Sequence, residues 1–236
     1  MAMSIKDILQ RVGVLLQDED AIRWPLPERL DFLNDGQREI VLLKPNARAR
    51  TVVLLLVPGT RQDLPAAYLD LISVTRNVTG HPDAPVGGRV VRTVARDTLD
   101  AASPDWHDPA RTAPAALVRN VVYDALDPQT FYVFPGNDGT GQVEAIVSLR
   151  PQVIPVPENP DRLDSYTAPL GIDDIYANAL MDYVIYRAFS KDNGVPGGVE
   201  RAALAYQQFM AALGARAQAQ GAANPNRPAP PVRAGG

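Results

Sequence analysis

Apolar residues recur at helical spacing towards both ends of the chain and at strand-like spacing between them. Ile5, Ile8, Leu9, Val12 and Leu16 mark one face of a first helix, with Ser4 placed to cap its start and the acidic run Asp18 to Asp20 at its exit. A second helix is predicted from Pro27 to the stop enforced by Pro45, with Leu30, Leu33, Gln37, Ile40 and Val41 on one face. Its weak point is Asn34-Asp35-Gly36, turn chemistry inside a helical pattern. From Arg50 the period shortens. Residues 51–57 and 69–79 are rich in β-branched residues and separated by turn signals at Pro58-Gly59 and from Gln62 to Pro65, which predicts two paired strands. Residues 117–124, 130–134 and 142–149 form a second strand cluster, and the PGNDGTG stretch before the last of them reads as a hairpin loop. Residues 87–114 between the clusters mix a short helical piece with proline-rich loop.

After a proline-spaced connector, PQVIPVPENPDRL, the helical period returns. Ile172, Ile175, Tyr176, Ala179, Tyr183 and Tyr186 form one stripe of a helix that begins near Asp173 and Asp174, whose carboxylates favour the positive helix end. Lys191 falls in its last turn. Asn193-Gly194 and Pro196-Gly197-Gly198 break the segment. Val199, Ala202, Tyr206, Phe209, Met210 and Leu213 then predict a final helix that folds back on the previous one as a hairpin. The economical architecture is α+β: a helical bundle built from residues 1–48 and 161–217, with an antiparallel β-rich unit, 49–160, inserted into it. Residues 218–236 carry no apolar period and are heavy in Ala, Pro, Gly and Asn, so they read as an extended tail without a core of its own. The four arginines and absent acids from Arg201 onward suit that tail to an acidic groove.

Composition narrows the function. At 46% hydrophobic residues over 236, the chain is long enough to bury a sizeable core. A net charge of -4 gives no reason to expect a nucleic-acid-coating or membrane-surface protein. The absence of cysteine excludes disulfides, thiolate metal sites and cysteine nucleophiles. VVLLLV, residues 52–57, is too short to cross a bilayer, and the N-terminus lacks a signal pattern, so the expected setting is a cytoplasm.

Candidate chemistry is sparse. His81 and His107 lie in loop-like sequence without a partner set, a poor basis for a metal site. Glycine loops of the phosphate-binding type, nucleophile elbows and zinc motifs are missing. Asn137 and Asp138 lack the alternating oxygen ligands of a calcium loop. The carboxylate clusters Asp18 to Asp20, Asp105 with Asp108, and Asp173 with Asp174 read as solvated faces or helix starts. The chain is therefore read as neither an enzyme nor a cofactor or metal binder. MDYVIYRAFSKD, residues 181–192, stands out: its aromatics face a core, while Arg187 is placed to pair with Asp182 or Asp192 on the surface.

Several stretches taken together resemble one family. FLNDGQREIVLLKPNA (32–47), VPGTRQDLPAAYLDLISVTRN (57–77), LDAASPDWH (99–107), VVYDALDPQTFYVFPG (121–136) and ALMDYVIYRAFSKD (179–192) are similar, in content and order, to the adaptor or head-to-tail connector proteins of tailed bacteriophages. That resemblance implies a structural virion protein at the head–tail junction, assembled in the host cytoplasm. It implies a ring, commonly of twelve copies, that docks beneath the portal protein, continues the DNA channel and attaches tail or nozzle proteins. DNA would pass without sequence-specific binding, and no membrane is involved. By the same resemblance the C-terminal segment grips the portal, which assigns that role to Asn224, Pro225, Arg227, Pro228, Pro230, Pro231, Val232 and Arg233. Arg187, Lys191 and Asp192 would face a neighbouring subunit or the channel. A tail-tube or head-completion protein and a small-ligand binder using the β unit remain the alternatives.

Overall fold

The computed structural model describes residues 3–124, 126–191 and 196–223. In chain order its elements are α1 (Ile5–Leu16), α2 (Leu26–Leu43), β1 (Ala49–Leu55), β2 (Gly59–Asp63), β3 (Tyr68–His81), β4 (Ala84–Val90) and β5 (Arg92–Thr93). They continue with α3 (Arg96–Ala102), β6 (Asn120–Tyr123), β7 (Thr130–Asn137), β8 (Gln142–Leu149), α4 (Ala177–Lys191) and α5 (Gly198–Ala223). The chain is α+β and divides into two compact units, residues 1–39 with 152–236, and residues 40–151.

The first unit is helical. Ser4 caps α1 in a reciprocal box with Asp7, which satisfies two of the amides that a helix start leaves open. Ile5, Ile8, Leu9, Val12 and Leu16 then enter one core with Leu30 and Leu33 of α2 and Met181, Val184, Ala188 and Phe189 of α4. The turn between α1 and α2 is built around Asp18. Its carboxylate accepts from the N–H groups of Ile22, Arg23 and Trp24 and pairs at 2.7 Å with Arg29, a guanidinium only 1% exposed. Trp24 donates its indole N–H to the Ala188 carbonyl at 3.1 Å and meets Phe189 edge-on.

Asn34-Asp35-Gly36 stays helical, against the turn chemistry of those residues, because each finds a tertiary role. Asn34, buried, accepts from the N–H of Ile154 and donates to its carbonyl, pairing α2 with the returning chain as a strand would. Gly36 lies where α4 comes closest: a Cβ there would stand 2.9 Å from Tyr183 and 3.1 Å from Leu180. Gln37, fully buried, donates to Asn34 and accepts from the N–H of Gly171 at 2.6 Å. Polar residues that read as helix breakers thus act as connections.

The second unit holds two four-stranded sheets, ordered β1-β8-β3-β4 and β2-β7-β6-β5, that bury one common core including Leu54, Leu71, Val74, Phe131, Val133 and Val147. Pairing is antiparallel except for the two-residue β5–β6 contact. Three expectations change here. Segments 51–57 and 69–79 are strands but not partners, since β8 lies between β1 and β3. PGNDGTG is not a hairpin loop: β7 and β8 belong to different sheets, and this stretch carries the chain from one to the other. Buried Asn137 makes the turn, donating to the carbonyls of Ala115 and Ala116 and accepting from the amides of Gly139 and Gly141. Strands β2, β4 and β5 occupy glycine-, proline- and arginine-bearing residues without apolar alternation, because nearly all of their side chains stay outside the core.

Candidate functional site

MDYVIYRAFSKD forms most of α4, and its side chains divide as the helical period requires. Tyr183 and Tyr186 meet Tyr206 and Phe209 of α5 in an aromatic cluster with ring centroids 4.9 to 5.9 Å apart. This cluster fixes the α4–α5 hairpin. On the other flank, Arg187 reaches Asp35 and the Tyr183 hydroxyl, both at 3.2 Å, with its guanidinium over the Phe32 ring. Its ion-pair partner is therefore on α2, rather than Asp182. Burial pushes the Tyr183 phenol up in pKa, and the hydrogen bond from Arg187 works against that rise. One turn later Lys191 pairs with Glu28 at 2.5 Å. Both cations thus bridge α4 to α2 and leave part of each side chain open to solvent.

Asp182 has no such support. Burial alone pushes its carboxyl above the ordinary aspartate range. Asp192 and the tail residues Asn224, Pro225, Arg227, Pro228, Pro230, Pro231, Val232 and Arg233 lie outside the described residues. Helix α5 continues to Ala223, past the boundary at 217 set by the tail's composition, because Ala and Gln propagate a helix well without an apolar period.

Elsewhere the polar groups that suggested chemistry are occupied structurally. His107 stacks on Trp106 with ring centroids 3.6 Å apart, and its Nδ1 shares a 2.8 Å hydrogen bond with the Thr60 hydroxyl. This hydroxyl–imidazole pair lacks an orienting acid: Asp100, whose charge acts on the ring, accepts instead from the Trp106 indole at 2.8 Å. Burial lowers the pKa of His107 and favours the neutral ring. Asp138 turns back on Thr140, and Asn137 spends its amide on the crossover. Among the described residues there is no grouping of three His, Asp or Glu side chains fit to hold a metal, and no helix long and apolar enough to cross a membrane.

The features that sequence reasoning missed are surfaces. Val199, Tyr206 and Met210 were expected on the packed face of α5 with Ala202, Phe209 and Leu213. The structure divides them. Ala202, Ala205, Phe209 and Leu213 are buried, whereas Val199 and Met210 stand on an adjacent ridge, exposed by 68 and 40%, and Tyr206, 37% exposed, lies between them with one edge on the Tyr186 ring. Two overlapping apolar rows on one helix read as a single wide face in sequence. On α1, Val14 and Leu15 likewise point outward beside an open cleft.

Compared with known families, residues 3–229 match the family of the SU10 adaptor protein, nearly the whole chain across both units. A search of curated proteins found no match.

Proposed function

The chain belongs to the SU10 adaptor protein family, a family of phage head–tail adaptors, and from that membership we propose that its copies form a ring docked beneath the portal protein. A structural role in the virion, at the head–tail junction and in association with other virion components, comes with the family. The ring, of twelve copies, continues the DNA channel and receives tail or nozzle proteins on its far side. The observation that carries this reading is the family match over residues 3–229, which spans the helical unit and the β unit together.

Two features of the chain support the finer assignments. Residues 224–236 combine four prolines and two glycines with Arg227 and Arg233 and no acid, a composition suited to binding as an extended strap rather than folding alone. We assign the portal contact to Asn224, Pro225, Arg227, Pro228, Pro230, Pro231, Val232 and Arg233. Arg187 and Lys191, held by α2 on one side, direct their remaining surface, with Asp192, to a neighbouring copy or to the channel. A channel that conducts DNA benefits from weak phosphate attraction, since each firm contact releases counterions and holds the duplex. The net charge of -4 accords with that need.

Co-sedimentation with the portal ring of the same phage tests the assignment. A chain ending at Ala223 is expected to lose at least ten-fold in portal affinity and to keep the melting temperature of the full chain. Unchanged portal binding would remove the tail from the contact.

A further inference from the structure

We propose that a cleft in the helical unit takes an arginine side chain from an extended segment of a partner protein. The cleft, of about 350 Å³, lies between α1, the start of α2 and residues 161–163. Leu9, Leu26 and Leu163 give it an apolar floor, and Glu19, Asp20 and Asp161, all exposed, stand around its rim. It is complete within one copy, so the site goes beyond the ring reading and does not depend on it.

The rim is unpaired. Among the described residues none of its three carboxylates has a hydrogen bond or an ion pair. The neighbouring cations act elsewhere: Lys6 pairs with Asp164 at 2.6 Å, Arg162 lends its charge to Asp164, Arg11 opens onto a separate cleft with Asp7, and Arg23 lies over the Trp24 ring. Glu19 and Asp20 also stand near the C-terminal end of α1, whose last turn carries no base, so the helix dipole works against them.

Arg29 makes the cleft more than an acidic patch. It lines the wall, is 1% exposed, and spends one terminal nitrogen on the carboxylate and carbonyl of Asp18, while its Nε–H has no acceptor. Gly13 leaves room for it: a Cβ there would stand 2.8 Å from the guanidinium. Asp18 neutralises Arg29, so the rim keeps its three uncompensated charges. A buried donor without an acceptor is costly, and the cleft is where an acceptor can arrive. The site thus asks for a cation at the rim, an aliphatic stem on the leucines and an oxygen for the Arg29 Nε–H. An arginine residue within a peptide supplies all three: its planar head meets carboxylates two bonds at a time, its stem covers the floor, and a main-chain carbonyl reaches Arg29. A metal ion is unsuited, since among the described residues no three acidic or histidine side chains are grouped to hold one. DNA phosphates are repelled by the rim, and a free polyamine brings no acceptor.

Acetyl-arginyl-photoleucine amide, irradiated with the full chain and mapped by mass spectrometry, tests the site. Labels are expected on residues 19–26 and 161–163. The citrulline counterpart, of the same shape without the charge, is expected to label at least ten-fold less. So is the arginine probe on the triple variant Glu19→Gln, Asp20→Asn, Asp161→Asn, which should melt at or above the wild-type temperature. N-Acetylarginine amide should suppress labelling at a concentration at least ten-fold below that needed of butylguanidine, which has the same head and stem but no carbonyl. Equal labelling by the citrulline probe, or unchanged labelling of the triple variant, would overturn recognition by the rim charges. A triple variant that melts lower would show the acids serving the fold instead. Equal competition by butylguanidine would leave a cation site with no place for a peptide, and labels absent from the cleft would remove the site altogether.

Discussion

Two half-buried carboxylates show how differently the same side chain behaves in this bundle. Asp18 is opposed by burial but receives three backbone N–H bonds and the Arg29 guanidinium, and the balance holds its pKa below the usual range. The stability it supplies is present above the unfolded pKa and is lost as pH falls through the lower folded value. Asp182 is the reverse case: burial acts without compensation and its pKa is raised. Above that raised value the folded state holds a carboxylate that would be better solvated in the unfolded chain, so ionised Asp182 destabilises. Asp182→Asn should therefore raise the melting temperature at pH 7, and the advantage should close as the pH is brought below the ordinary aspartate pKa of about 3.9. Thermal melts of both proteins from pH 3 to 7 check this; an advantage that persists at pH 3 would point to packing instead of charge. The sequence offered Asp18 only as part of an acidic run and Asp182 only as a surface partner for Arg187, because aspartates look alike until the fold decides which meet amides and which meet apolar side chains.

At the scale of elements, local periodicity was legible and partnership was not. The helices of the bundle begin and end close to their expected places because caps, prolines and apolar rows are local signals, as Ser4 and Lys191 illustrate. Strand pairing is non-local. Residues 130–134 and 142–149 are both strands, yet a buried Asn137 sends them to different sheets, and no pattern in PGNDGTG distinguishes such a crossover from a hairpin. Candidate surfaces were hidden for a related reason: Met210 and Phe209 are equally apolar, and only the position of α4 separates a core residue from an exposed one. Two helical glycines express the same contrast. Gly36 sits against Tyr183 and Leu180, so Gly36→Ala should destabilise by about 1–3 kcal/mol through overpacking, against the helix preference of alanine. Gly214 faces open space, so Gly214→Ala should stabilise the isolated chain by roughly 0.5–1 kcal/mol. Urea unfolding of the two variants measures both signs, and a stabilising Gly36→Ala would contradict the close α2–α4 approach.

For the molecule as a whole, family membership supplies the role and the fold supplies surfaces on which it can be exercised. The helical unit carries the aromatic α4–α5 hairpin, the cationic bridges of Arg187 and Lys191 to α2, and the α5 ridge. The first two hold the helical unit together, and the third leaves apolar surface open on a chain of the phage adaptor family. The central claim is that copies of this chain close into a ring on a portal. Its most direct test is the mass of the complex formed when the purified protein is titrated into the portal ring of its phage, followed by light scattering. The account predicts a plateau at a fixed mass, corresponding to twelve copies per portal ring and unchanged by excess protein. A mixture in which the portal keeps its own mass and this protein stays monomeric at every ratio would contradict it.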